Sequence, residues 1–244
     1  MSAKSDHTST VITVFVSASL AICAAALLAN VQDIPRIDLR DARKNVGQTV
    51  MACGSVATYH CPRPQRTTYL DLDTPYWEEG ISVAIPAGSR TAFGARVEDR
   101  YTARTVCATG RIRREDKRYV ISVSGPSDLR IDREPDPLPV RLEPTAVRAC
   151  DDGVELPQPV TRAKPDYPPG AQAKHREGIV LLDGVVQIDG TVGDVVVVHS
   201  LDAASGFDAQ AVKAFKKWRF TAGTVAGRPT PVVVGVQMKF DIRR

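Results

Sequence analysis

The sequence has no Cys-x-x-Cys pair, no cluster of histidines and no motif joining a serine or cysteine to a base. Each absence removes a class of chemistry. Without the paired cysteines there is no zinc or redox dithiol signature. The four histidines, His7, His60, His175 and His199, are scattered, which fits solvated or locally bonded rings better than metal ligands. With no nucleophile–base spacing, the reading is not an enzyme, and no cofactor or metal is implied. A dominant charge is lacking too. With 32 Lys and Arg against 28 Asp and Glu, the net charge of +4 does not choose between a solvated surface and an acidic partner.

Proline and apolar residues are plentiful, and both are unevenly placed. At 244 residues with 43% hydrophobic content the chain can hold two small folded cores. The 17 prolines cluster between them. Val11–Ala29 is a nineteen-residue run without a charge, preceded by Lys4 and followed by Asp33 and Arg36. That length spans a bilayer. Residues 1–35 therefore read as a single inner-membrane anchor with the bulk of the chain periplasmic. The alternative is a cleaved signal and a soluble periplasmic protein, with Ala24 and Ala26 offering the small residues of a cleavage site. Leu20–Cys23 is a poor lipoprotein box because Ile22 precedes the cysteine. All these readings place the rest outside the cytoplasm, where disulfides are permitted.

Residues 36–133 carry five strand patterns. Val50, Ala52, Gly54 and Val56 alternate to one face, and further strands fit 67–72, 81–85, 105–112 and 119–123. A short helix fits between the third and fourth. This is the order of an all-β, five-stranded OB-like barrel, with Gly54 and Gly110 where such strands curve sharply. The first and fourth strands resemble those of bacterial single OB-fold modules. In that arrangement Cys53 and Cys107 both point outward on neighbouring strands, so Cys53–Cys107 is the expected bridge. Cys61 and Cys150 then pair or stay free, and the alternative for the first two is separate thiols. The segment Arg111–Arg118, RIRREDKR, reads as a loop joining the last two strands. The module holds 17 Lys and Arg against 12 Asp and Glu, a net of +5. Glu115 and Asp116 dilute the loop, so a solvated hairpin is preferred to an anionic-ligand site, and nucleic acid is disfavoured.

Residues 134–164 hold six prolines and no apolar period. They read as an extended tether reaching about 100 Å if nothing folds back, and much shorter if Cys150 is bridged to the barrel. Residues 165–244 then show two alternating strands around Asp189-Gly190, a strong hairpin signal. A helical stripe follows, with Ala211, Ala214, Phe215 and Trp218 on one face. A terminal strand alternates Val232, Val234, Val236, Met238, Phe240 with Val233, Gly235, Gln237, Lys239, Asp241. The expected fold is α+β, a three-stranded antiparallel sheet with a helix on one face. Phe215, Trp218 and Phe220 are expected in the core.

Taken in order, Pro165-x-Tyr167-Pro168, Ala171, Gly178, Asp189-Gly190, Ser200, Asp208, Ala211, Trp218-Arg219-Phe220, Gly227-x-Pro229 and the final strand resemble the TonB C-terminal domain. Ala222 departs from the family, where proline often follows the Trp-Arg-Phe group. The resemblance implies an energy transducer to TonB-dependent outer-membrane transporters. Its partner is a receptor peptide that pairs by β-augmentation with the last strand, at Val233, Gly235, Gln237, Lys239 and Asp241, with Pro165 and Tyr167 helping to hold it. It also implies coupling to an ExbB–ExbD-type motor through the membrane helix. Here that segment has Ser17 and Ser19 but no histidine. The competing reading is an exported envelope adaptor without a motor, whose OB-like module binds a separate protein or anionic ligand.

Overall fold

The computed structural model describes residues 34–242 apart from 95, 136–141, 144, 170 and 172–175. The apolar run 11–29, with the anchor and signal readings made on it, lies outside the described residues. Among those described, no helix is long and apolar enough to cross a membrane.

The first half is built from β1 (Arg36–Ile37), β2 (Thr49–His60), β3 (Thr68–Leu72), β4 (Ile81–Ile85), α1 (Val97–Tyr101), β5 (Thr105–Glu115), β6 (Arg118–Ser122) and β7 (Leu129–Arg133). Strand β2 pairs antiparallel with both β3 and β5. Strand β4 pairs antiparallel with β3 and parallel with β6, and β6 pairs with β5. The five strands thus close on themselves in the order β2-β3-β4-β6-β5-β2. Alternation in β2 sends Val50, Ala52 and Val56 inward to meet Leu70, Ile81, Val83, Ile112 and Ile121. Phe93 and Tyr101, before and on α1, join the same core.

The segment expected to be a loop at Arg111–Arg118 is mostly strand. Strand β5 runs on to Glu115, which lies opposite Arg118 across a two-residue turn where Asp116 takes a φ of 49°. Arg118 is no loop cation. It is buried, donating to Ser82 Oγ and to the carbonyls of Pro75, Glu78 and Ile81. Long arginine stems pack against apolar neighbours while the head satisfies carbonyls, which a count of charges along a sequence does not register.

The proline-rich segment is not a free tether where it is described. It contributes β8 (Val147–Arg148), β9 (Val154–Glu155) and β10 (Pro159–Thr161). Cys150 is bridged to Cys61, with the Cα atoms 5.9 Å apart. Arg63 donates to the carbonyls of Ala149 and Val154, Arg66 to that of Cys150, and Arg90 pairs with Asp151 at 2.9 Å. The other bridge, Cys53–Cys107, joins directly opposed residues of β2 and β5 with a Cα separation of 4.0 Å.

The last part holds β11 (Gly178–Val186), β12 (Val192–His199), α2 (Phe207–Phe215), β13 (Arg219–Phe220), β14 (Thr224–Val225), β15 (Arg228–Pro229) and β16 (Val232–Phe240). Its main sheet is four-stranded, in the order β12-β11-β16-β8, not three-stranded. The addition is β8, which runs parallel to β16 with Val147 opposite Val232 and Arg148 opposite Val233. Strands β9 and β10 pair with β14 and β13. Helix α2 covers one face, where Phe207, Ala211 and Phe215 pack on Val180, Leu182, Met238 and Phe240. Two glycines allow this packing. A Cβ on Gly184 would lie 2.5 Å from the Phe215 ring, and one on Gly190 would lie 2.0 Å from the Phe220 carbonyl, at a φ of +80°. Ile34–Arg244 form one compact unit.

Candidate functional site

Strand β16 has two sides and two edges, and the register assigns each residue to them. One edge is fully paired, with Val232 to Phe240 opposite Val186 to Gly178 of β11. The other is paired only at Val232 and Val233, by β8. The Val147 amide donates to the Pro231 carbonyl at 3.0 Å, so the odd-numbered residues of β16 turn their backbone groups to this outer edge. Beyond β8, Gly235, Gln237, Lys239 and Asp241 carry the outer-edge backbone, and all four are exposed. No strand of the described residues pairs with them on that outer edge. Val233 differs: it is buried and its backbone partner is Arg148. Side chains at even positions face α2, and those at odd positions face the opposite side of the sheet.

That opposite side is covered, row by row, by the first half of the molecule and by the proline-rich segment. In the first row His199, Leu181 and Gln237 lie across β12, β11 and β16. Trp77 packs edge-on against His199 at 5.6 Å, and the Tyr76 hydroxyl bonds the Gln237 amide. In the second row Asp183 lies between Val196 and Gly235. In the third, Leu142 and Ala146 pack on Val185 and Val233.

Asp183 is the buried charge of this junction. Its carboxylate accepts from the Tyr59 hydroxyl of β2 and from Arg148 of β8 at 3.2 Å. Arg148 also pairs with Asp99 of α1. Burial pushes the Asp183 carboxyl above its ordinary range, against the pull of Arg148 and the Tyr59 hydroxyl. Burial, followed by the Asp183 charge, pushes the Tyr59 hydroxyl well up. For Arg148 burial works against the charge, but Tyr59, Asp183 and Asp99 outweigh it and hold the guanidinium above its usual value. The two shifts have opposite senses for the charge: Arg148 is held in its charged form by its neighbours, whereas at Asp183 burial outweighs the pull of Arg148 and disfavours the charge. Beside this cluster a slot of about 350 Å³ opens along the other edge strand, lined by Val195–Val198, Thr102 and Ala103.

The expected core residues Phe215 and Phe220 lie in the cluster under α2, with Trp218 packed against it. The Trp218 indole also donates to the Ala163 carbonyl at 2.8 Å, and Arg162 stacks over its ring. Tyr167 packs edge-on against Phe207 and Phe240, which places it beside the far end of β16, and its hydroxyl donates to the Arg176 carbonyl. Pro165 is half-buried two residues before it. Sequence reasoning missed Tyr59, Tyr76, Arg148 and Asp183. Of these only Asp183 left a signal, as a lone carboxylate inside the apolar strand GIVLLDGVV.

A family model described as "Gram-negative bacterial TonB protein C-terminal" matches residues 163–242. The solution structure of the Pseudomonas aeruginosa TonB CTD is similar at 28% identity, covering 40% of this chain and 96% of that chain, with a TM-score of 0.28. A chain described as an aspartyl-tRNA synthetase from Leishmania major Friedlin aligns at 10% identity over 44% of this chain and 22% of that one, with a TM-score of 0.31. Superpositions this slight carry no weight for the fold. No curated protein matches the sequence. The family match rests on the segment that contains α2 and β16, and residues 163–242 are therefore a TonB C-terminal domain, a third of the 244-residue chain.

Proposed function

We propose that this is a TonB-type envelope protein that accepts an extended peptide from an outer-membrane transporter along the outer edge of β16. The observation that carries this is the run Gly235–Asp241, whose odd-numbered residues turn their backbone to an outer edge that no strand of the described residues pairs with. Backbone groups in this state are the template for β-augmentation. Strand β8 occupies the first positions, so the working edge begins after Val233. Peptide affinity comes mainly from main-chain bonds, and the exposed Gln237 and Lys239 are its side-chain neighbours.

The first half is proposed to be an OB-type barrel. Its closed strand order and the placement of α1 between β4 and β5 support that assignment. Energy transduction, with residues 1–35 as an inner-membrane anchor engaging an ExbB–ExbD-type motor, is the fuller form of the proposal. A second reading, an envelope adaptor that binds without pulling, is favoured by one observation. The described residues of 142–164 are strapped to the barrel by Cys61–Cys150, Arg63 and Arg90, and do not extend as a reach across the envelope.

Photo-crosslinking in intact cells separates success from failure. A crosslinker at Gln237 or Lys239 is expected to capture an outer-membrane transporter, and one at Asp208 on the helix is expected to capture none. If neither edge position captures a transporter, the proposed function is wrong.

A further inference from the structure

We infer that the peptide on β16 is read by a row of aromatic rings on the first half of the molecule, which takes a large apolar side chain from it. This rests on the edge reading given above and adds to it a determinant outside the TonB C-terminal domain. The row begins at Tyr69, which stacks on His60 at 4.8 Å with the rings 7° apart. His60 meets Tyr76 at 4.7 Å, Tyr76 meets Trp77 at 5.0 Å, and Trp77 meets His199. Every ring of the row is partly exposed.

Tyr76 ties the row to the edge. Its hydroxyl bonds the side chain of Gln237, whose own backbone faces the unpaired edge. A strand added there sends alternate side chains to the α2 side and to the barrel side. Those on the barrel side arrive beside Gln237 and Tyr76. Two carboxylates beside the row, Asp71 and Glu115, are already engaged. Asp71 is fully buried and accepts from Thr58 at 2.8 Å and Ser82 at 2.7 Å, with His60 at 3.1 Å. Glu115 takes the Tyr69 hydroxyl at 3.1 Å and Arg113 at 2.9 Å. What the row itself offers a ligand is mainly ring surface, which suits an apolar or aromatic side chain.

The test uses the purified full chain and a synthetic peptide carrying the N-terminal box of an outer-membrane transporter, titrated by calorimetry. Tyr76→Ala is expected to weaken binding about tenfold, while Tyr76→Phe, which keeps the ring and loses only the Gln237 bond, stays within about twofold of wild type. A serine scan of the peptide's large apolar residues is expected to find one position that weakens wild-type binding similarly and adds nothing in Tyr76→Ala. The scan against wild type decides the matter even if Tyr76→Ala folds poorly. Wild-type binding that neither Tyr76→Ala nor any serine substitution alters overturns this inference alone. No wild-type binding overturns the edge reading, and this inference with it.

Discussion

Arg148 has to neutralise two carboxylates at once, and this sets what single substitutions at the junction will do. Its side chain is 6% exposed, as is that of Asp183. Arg148→Ala leaves Asp183 buried without a counter-ion, and breaking a buried pair from one side costs about 3–5 kcal/mol. Asp183→Asn keeps the shape and leaves Arg148 with Asp99, so its cost should stay below about 1.5 kcal/mol at neutral pH. Urea unfolding of the two variants checks the order, and equal losses would contradict it. The pH dependence has a definite sign. The Asp183 carboxyl is raised by burial, so the folded state takes up its proton more readily than the unfolded chain. Its contribution to stability is therefore fullest below the unfolded value of about 3.9 and is lost as pH rises through the folded value. The stability of wild type relative to Asp183→Asn should grow as pH falls from about 7 to about 4. A flat difference would show that Asp183 titrates as an ordinary surface acid, and a falling one that Arg148 outweighs burial; either contradicts the account.

Among the elements, β8 and β16 carry the most consequence. The nine residues of β16 alternate, and that period was enough to read which side chains face α2, but not that Val233 on the other face is buried. Two-residue β8 has no period to read, and it ends two residues before Cys150, whose bridge to Cys61 spans 89 positions. The terminal strand was therefore legible from the sequence, while the fourth strand that shortens its free edge was not. Cys150→Ser should release β8. The Val147 amide, which donates to Pro231, is expected to lose hydrogen-exchange protection at least tenfold, with the β2–β5 amides unchanged. Unaltered protection at Val147 would mean that Arg148 alone holds the strand. The hairpin between β11 and β12 was also legible, from Asp189-Gly190. The structure adds that Gly190 has no room for a side chain, so Gly190→Ala should cost about 1–3 kcal/mol in thermal or urea unfolding. A neutral effect would show that β13 can move aside. The expected helix to Trp218 ends at Phe215, because the chain turns there to bring Phe220 into β13 beside β10.

Across the whole molecule, the two halves share a buried junction. Composition revealed a proline-rich segment between two patterned regions, and that much was legible. What it did not reveal is that Arg63, Arg66 and Arg90 of the first half hold this segment by its carbonyls and by Asp151. Nor did it show that Tyr59, Tyr76 and Trp77 cover the sheet of the second half. Such contacts depend on which exposed-looking residues meet in space, and no periodicity encodes that. The segment 165–244 cut from the rest would expose Asp183 and Leu181 and lose β8. It is expected to unfold at lower urea than the full chain, by at least about 3 kcal/mol, and equal stability would show that the junction contributes nothing. The most direct measurement of the central claim is peptide binding by the full chain with Gln237 changed in two ways. Gln237→Pro removes an outer-edge amide while sparing the ladder to β11. Gln237→Ala removes only the side chain. If β16 binds by main-chain pairing, box-peptide affinity in calorimetry should fall at least tenfold for Gln237→Pro and change little for Gln237→Ala. Undiminished binding by a folded Gln237→Pro chain would contradict the account.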